Sequence, residues 1–438
     1  MPKISEILAA EEQKERPWIA FEYFPPRTAD GVANLYKRFK RMASQRAWSS
    51  RARRGATSFP PLLTPRHSPP PPLLPRCAGP AYADVTWGAG GASSDLTLEL
   101  CVRMKAEYGM EPNMHLTCTN MASDLIGKAL DGCKAADIRN IVALRGDAPK
   151  GQAEWTASDG GFTCALDLVV HMRKEYGDYF HISVAGYPEG HPVAITKVAP
   201  GAALSESERS RLVTRPDGDW VCTDAAYAGE LAYLKKKVDA GADMIITQMF
   251  FDTEVFLRFV RDCRAAGIAV PIQPGIMLVQ SYGGFARMTE LCKSRVPAEL
   301  QAALDAVKDS DADVKAVGLK LGLKMCQECV GGPAGQGGSR APPHAHAHSP
   351  HALLPPPLPP AAACWRLASR ACTCTRSTWR RRASPSSTRW TSSCPCPLTS
   401  ERKRPPRGAP HPQFSLGPPA PPVVVTVGAR GGGSERGG

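Results

Sequence analysis

Seven apolar, strand-like runs alternate with seven stretches of helical period, and this repeat constrains the fold more than any other feature of the chain. The strand-like runs are Ile19–Phe24, Ala83–Trp87, Met114–Cys118, Ile141–Arg145, Ile182–Tyr187, Met244–Phe250 and Ile272–Met277. Between and after them come Gly31–Met42, Ser94–Tyr108, Ala122–Ala136, Ala165–Tyr176, Ala225–Ala240, Thr253–Ala266 and Tyr282–Ser294. Short strands that are apolar on both faces and separated by helices belong to a parallel sheet covered on both sides. The repeat predicts an α/β fold, either a (β/α)8 TIM barrel or a doubly wound sheet.

The residues at the strand ends separate these two. A dinucleotide-binding doubly wound sheet carries Gly-x-Gly-x-x-Gly straight after its first strand. Here the first strand ends in Pro25-Pro26-Arg27, and Gly88-Ala89-Gly90-Gly91, after the second strand, lacks the third glycine in register. Polar residues instead gather at the C-terminal ends of nearly all strands: Glu22, Thr86, Thr117, Arg145 with Asp147, Tyr187 and Gln248. Barrel active sites are assembled at that rim from several strands, so the pattern favours the barrel. Glu22 stands out within Trp18-Ile19-Ala20-Phe21-Glu22-Tyr23-Phe24. Burial beside aromatic rings disfavours a carboxylate and lets the acid hold its proton near neutral pH. On an edge strand the same glutamate would simply face water.

The net charge of +13 would point to a nucleic-acid partner if it were spread over the fold. It is not. Residues 44–80 carry six arginines and no acid, and residues 331–438 carry fourteen basic and two acidic residues, which leaves the remainder mildly acidic. Both segments are Pro/Gly/Ser-rich without hydrophobic period, from Pro69-Pro70-Pro71-Pro72 to His344-Ala345-His346-Ala347-His348, and neither can bury a core. They are read as a disordered basic insertion and a disordered tail flanking a domain made of 1–43 and 81–330. The cysteine pairs Cys372-Thr373-Cys374 and Cys394-Pro395-Cys396 lack zinc-site spacing, so no metal is expected. Cysteines dispersed through the strand and helix segments suit reduced thiols, no apolar run is long enough for a membrane span, and Met1-Pro2-Lys3-Ile4-Ser5-Glu6 lacks a signal pattern. A cytoplasmic protein with no membrane partner is expected.

Six rim segments occur in order: Phe21-Glu22-Tyr23-Phe24-Pro25-Pro26-Arg27, Asp84-Val85-Thr86-Trp87-Gly88-Ala89-Gly90-Gly91, His115-Leu116-Thr117-Cys118-Thr119, Ala143-Leu144-Arg145-Gly146-Asp147, Val184-Ala185-Gly186-Tyr187-Pro188-Glu189-Gly190-His191-Pro192 and Ile246-Thr247-Gln248-Met249-Phe250-Phe251. Together they resemble the methylenetetrahydrofolate reductases, the plant and algal form in particular, over 15–43 and 81–330. The resemblance implies a (β/α)8 barrel with FAD at its rim. It also implies reduction of 5,10-methylenetetrahydrofolate to 5-methyltetrahydrofolate with NADH or NADPH as reductant, and self-association of the chain into a homo-oligomer. It makes Glu22 the general acid and puts Asp147 beside flavin and pterin, where the residue-level alternative is a helix N-cap. Thr86, His115, Arg145, Gly146, Asp147, Tyr187, His191, Lys236 and Lys237 fall on FAD positions, and Glu22, Gln248 and Tyr282 on folate positions. The plain readings are a core histidine for His115, a loop tie for Gln248, a packing residue for Tyr282 and a solvated helix face for Lys235-Lys236-Lys237.

The departures from the family are as informative. Residues 44–80 intervene where relatives need only a few residues, and 194–219 reads as an enlarged loop. The last strand and helix, with a Tyr-Thr-Leu-Asn segment, are absent. Back-translating Ala371 to Arg382 with permitted codons and reading two bases later yields Val-His-Met-Tyr-Thr-Leu-Asn-Met-Glu-Lys-Ala. This predicts that 44–80 and 331 onward are intron-derived and frame-shifted, and that seven strands leave the barrel with two open edges. Two other readings remain: a catalytically impaired flavin- or folate-binding fragment, and an RNA-binding arm carrying Arg380-Arg381-Arg382 and Arg402-Lys403-Arg404. The tail lacks the Lys/aromatic interleaving of ordered readers, which weighs against the arm, so no nucleic acid is expected.

Overall fold

The computed structural model describes residues 2–12, 18–54, 80–87, 94–119, 121–147, 157, 160–331 and 423–428. Seven parallel strands form the expected barrel wall: β1 (Trp18–Tyr23), β2 (Ala83–Val85), β3 (Pro112–Thr117), β4 (Asn140–Leu144), β5 (His181–Gly186), β9 (Met244–Met249) and β10 (Ile272–Leu278). Each is rich in β-branched, aromatic or other apolar residues and buried along nearly its whole length. Helices α2 (Ala29–Arg54), α3 (Ser94–Tyr108), α4 (Ser123–Ala135), α5 (Ala165–Tyr176), α7 (Asp224–Asp239), α8 (Thr253–Ala265) and α9 (Tyr282–Cys292) follow the strands in turn. Their starts carry local signals: the Thr28 side chain accepts from Gly31 N–H at 3.1 Å, Asp252 from Glu254 N–H at 3.1 Å and Ser281 from Gly284 N–H at 3.2 Å.

Helix α1 (Ile4–Glu12) plugs one end of the barrel. Ile4 and Leu8 pack with Trp18, Ala20, Tyr82 and Met244, all at or near strand starts, and Ile4 N–H donates to Asn140 Oδ1 at 2.7 Å. The open end is therefore the one where the strands finish. The main core lies between sheet and helices, with Leu100, Met104, Leu116, Ile141, Leu168, Ile182 and Phe259 fully or almost fully buried.

Three expectations are revised. The eighth place in the wall is not empty: β11 (Val423–Gly428) lies there antiparallel to both neighbours, pairing Trp18 with Gly428 through Glu22 with Val424, and Gly275 with Thr426 through Leu278 with Val423. Two unpaired strand edges present rows of free N–H and C=O groups. Val423-Val424-Val425-Thr426-Val427, the β-branched run of the tail, is the segment best suited to satisfy them. A parallel eighth strand with its own helix is absent among the described residues, as expected. Helix α2 continues to Arg54, into the segment read as disordered, because Ser44 to Arg54 contains good helix formers and no proline. The remainder of that insertion, 55–79, and the tail stretches 332–422 and 429–438 lie outside the described residues. Residues 194–219 are an ordered elaboration: β6 (Ile195–Lys197), β7 (Val213–Arg215) and β8 (Gly218–Cys222) form an antiparallel sheet beside α6 (Glu206–Ser210), which opens on a Ser205/Glu208 capping box. Two further helices, α10 (Ala298–Asp305) and α11 (Asp311–Gly331), complete the domain.

Candidate active site

Strand register places the acid. Glu22 on β1 is aligned with Asp84 on β2, and Asp84 with Asn113 on β3, so the three side chains share one face, together with His115 two residues further along β3. Asp84 is 2% exposed and Asn113 fully buried; Asn113 Nδ2 donates to Asp84 Oδ1 at 2.8 Å, and His115 Nε2 stands 3.6 Å from the same oxygen. Glu22 is half-buried, and its carboxyl is pushed up to about 7, first by burial; the cationic pull of His115 opposes this and the Asp84 charge adds to it. For His115, burial favours the neutral ring, but the carboxyl groups of Asp84 and Glu22 outweigh it and the imidazole is raised above its ordinary value. An acid that titrates near 7, beside an imidazole whose protonated form its carboxylate neighbours favour, can move a proton near neutral pH.

A cavity of about 320 Å3 opens at the ends of β4 and β5 and is closed by α7. Arg145, Tyr187, His191, Glu230 and Lys237 are among its polar groups, while Ala143, Ala185, Leu231 and Leu234 are among its apolar ones. Tyr187 and His191 meet edge to face with centroids 4.7 Å apart. Burial and the cations Arg145 and Lys237 pull His191 down to about 4, so its ring is neutral, and its Nδ1 accepts from Val193 N–H at 3.2 Å. Lys237 is 4% exposed, donates to Ala185 C=O at 2.7 Å, and is lowered by burial to about 8. Guanidinium and ammonium groups over apolar walls suit a flat ligand that carries phosphate, which is the chemistry of a flavin nucleotide.

The remaining predicted residues divide. Thr86 is buried at the end of β2, and its backbone N–H donates to Tyr23 C=O at 2.9 Å. Gly146 has φ of +89°, and a Cβ there would stand 2.4 Å from Thr119 Oγ1, so this turn admits glycine alone. Gly146→Ala is expected to lower stability by about 2 kcal/mol in a thermal melt; an unchanged melting temperature would show that the turn relaxes. Asp147 is exposed just after β4, where its carbonyl accepts from Thr119 Oγ1 at 3.0 Å. Gln248 is half-buried near the end of β9 with its amide oxygen turned back to Met249 N–H at 2.9 Å.

One assignment is corrected. Lys236 is exposed on the outer side of α7, because its neighbour Lys237 takes the inward phase of the helix. Tyr282 stands half-buried at the start of α9, where its hydroxyl donates to Asp305 Oδ1 at 2.5 Å and accepts from Gln301 Nε2 at 3.2 Å, and its ring meets Phe285. Conversely, two site residues escaped the sequence reading. Glu230 lines the cavity seven positions before Lys237, a helical spacing that signals a shared face. Asp84 sits one alternate position before Thr86, which places a charge on the interior side of a buried strand.

Residues 4–55 and 74–332 match the family model described as methylenetetrahydrofolate reductase. The chain is 44% identical over 315 residues to methylenetetrahydrofolate reductase (NADH) 1 of Zea mays, covering 72% of this chain and 44% of the relative. To methylenetetrahydrofolate reductase (NADH) 1 of Arabidopsis thaliana it is 43% identical over 330 residues, covering 75% and 46%. To methylenetetrahydrofolate reductase 2 of Saccharomyces cerevisiae it is 36% identical over 330 residues, covering 75% and 45%. The chain spans about half the length of the curated relatives it matches.

Proposed function

The chain belongs to the methylenetetrahydrofolate reductase family, and on that premise we propose that it reduces 5,10-methylenetetrahydrofolate to 5-methyltetrahydrofolate, in the one-carbon metabolism that serves methionine synthesis. FAD, when bound, supplies the hydride transfer, with NADH or NADPH as reductant; the plant relatives are named for NADH. The observation that carries the proposal is Glu22, an acid raised to about 7 at the end of β1.

Each residue then has a task its surroundings support. Opening the five-membered ring of the folate breaks a carbon–nitrogen bond, and the departing nitrogen needs a proton. Glu22 holds one near neutral pH and donates it. The resulting substrate cation is stabilised by a carboxylate at the rim, the role given to Asp147. Gln248 offers an amide that both donates to and accepts from the pterin edge. Arg145 and Lys237 would hold the phosphate groups of FAD, Tyr187 and His191 would form a wall of its site, and Thr86, His115 and Gly146 would complete the cradle.

Lys237 yields a pH dependence. Its depressed pKa means that it is charged below about 8 and loses that charge as pH rises further. FAD retention should weaken across that range, and Lys237→Met should weaken it by about tenfold or more at pH 7, the equivalent of one charge-assisted hydrogen bond. Flavin absorbance after equilibrium dialysis measures both. Retention independent of pH and of the substitution would remove Lys237 from the site.

The nine described cysteines are all free, which supports a reducing, cytoplasmic location. Self-association into a homo-oligomer is part of the same proposal, as is an organisation in which the insertion beyond α2 and most of the tail are foreign to the reductase barrel. Anaerobic stopped-flow absorbance tests the activity: the bound flavin should bleach with NADH or NADPH and recover on adding methylenetetrahydrofolate. A colourless protein, or a flavin that the folate leaves reduced, would refute it.

A further inference from the structure

Asp84 has no task in the reaction as assigned. It is nonetheless the residue that connects the acid to the imidazole. Its carboxylate is buried, lies in register with Glu22, is anchored by Asn113 at 2.8 Å, and has His115 Nε2 at 3.6 Å. Its second oxygen has no hydrogen-bond partner among the described residues. A buried carboxylate is costly unless paired, and a buried imidazole is cationic only where a carboxylate compensates it. The nearest other ionisable group on this strand's side, the Tyr82 hydroxyl just before β2, donates to Gln273 Oε1 and is raised well above its ordinary value by burial, so it stays neutral.

We propose that Asp84 is a positioning residue for the folate half-reaction: it holds the His115 ring as an imidazolium beside Glu22 and thereby governs the pH range in which Glu22 can donate its proton. This rests on the reductase reading given above. Asp84 acts on Glu22 in two opposed ways. Directly, its negative charge opposes ionisation of Glu22. Indirectly, by keeping His115 charged, it promotes ionisation, and the His115 effect on Glu22 is the larger of the two. Removing the Asp84 charge therefore raises the pH at which Glu22 loses its proton.

The test uses the flavin-loaded full-length chain. Asp84→Asn keeps the shape and the acceptor oxygen for Asn113 while deleting the charge. By NMR, the His115 titration should move down by about one pH unit or more. In stopped flow, the alkaline limb of folate-driven flavin reoxidation should move up. His115→Gln should also move that limb up, and in the His115→Gln background the further change Asp84→Asn should leave it in place or move it down. Asp84→Glu, which restores the charge, should return the limb toward that of the parent. A purely structural role would slow the reaction uniformly and produce no such reversal of sign. An unmoved His115 titration, or an upward limb shift by Asp84→Asn that persists without His115, would overturn the proposal. If methylenetetrahydrofolate fails to reoxidise the flavin of the parent chain, the reductase reading falls, while the His115 titration still decides whether Asp84 holds the ring.

Discussion

Glu22→Gln should slow folate-driven flavin reoxidation by about a thousandfold and leave flavin reduction by the nicotinamide nearly untouched, since general acid catalysis contributes about 10²–10⁴ in rate. Glutamine keeps the shape of the side chain and cannot donate the proton. The raised pKa gives the pH dependence of the parent chain. Glu22 is protonated below about 7 and loses its proton as pH rises through that value. Reoxidation should accordingly fall on the alkaline side of pH 7, and this limb should vanish in the glutamine variant. A variant that reoxidises at the parental rate would show that another group supplies the proton.

The second large effect concerns the eighth place in the barrel wall. Removing the tail after Gly331 deletes β11, with its five register pairs to β1 and four to β10. At about 0.5–1.5 kcal/mol net per backbone hydrogen bond, the loss is on the order of 5 kcal/mol, comparable with the entire stability of an ordinary domain. The truncated chain should lose its cooperative melt and associate through the exposed edges of β1 and β10. Replacing residues from 371 onward by the reading frame two bases later brings in Tyr-Thr-Leu-Asn and the sequence beyond it. That exchange should restore a single transition at least about 5 °C above that of the present chain, because a parallel strand carries a right-handed crossover and a helix of its own. Calorimetry and size-exclusion chromatography of the three chains give the result. A truncated chain that melts like the parent would show that β11 contributes nothing to closure. Sequencing of spliced transcripts tests the frame itself, and abundant messenger encoding 331–438 as given would end that explanation.

What the sequence determined by itself is the repeat and the rim. Alternation of apolar runs with helical period is a local property, written in each segment without reference to any other, so β1 through β10 and the helices between them were legible outside the 194–219 elaboration. Glu22 was legible as the lone charge inside an apolar run, and Arg145, Tyr187 and His191 because each closes or follows one, all four in ordered motifs. Tertiary structure alone decided which groups meet. Lys237 and not Lys236 enters the cavity because the phase of α7 against the wall chooses one of two adjacent lysines. Tyr282 went to Asp305, a partner 23 residues away that no local pattern indicates. The alignment of Glu22, Asp84 and Asn113 across three strands follows from inter-strand register, which hydrogen bonds between distant segments establish. The same holds for β11: a run of valines is only a strand former until the open edges of β1 and β10 give its backbone groups something to bond to.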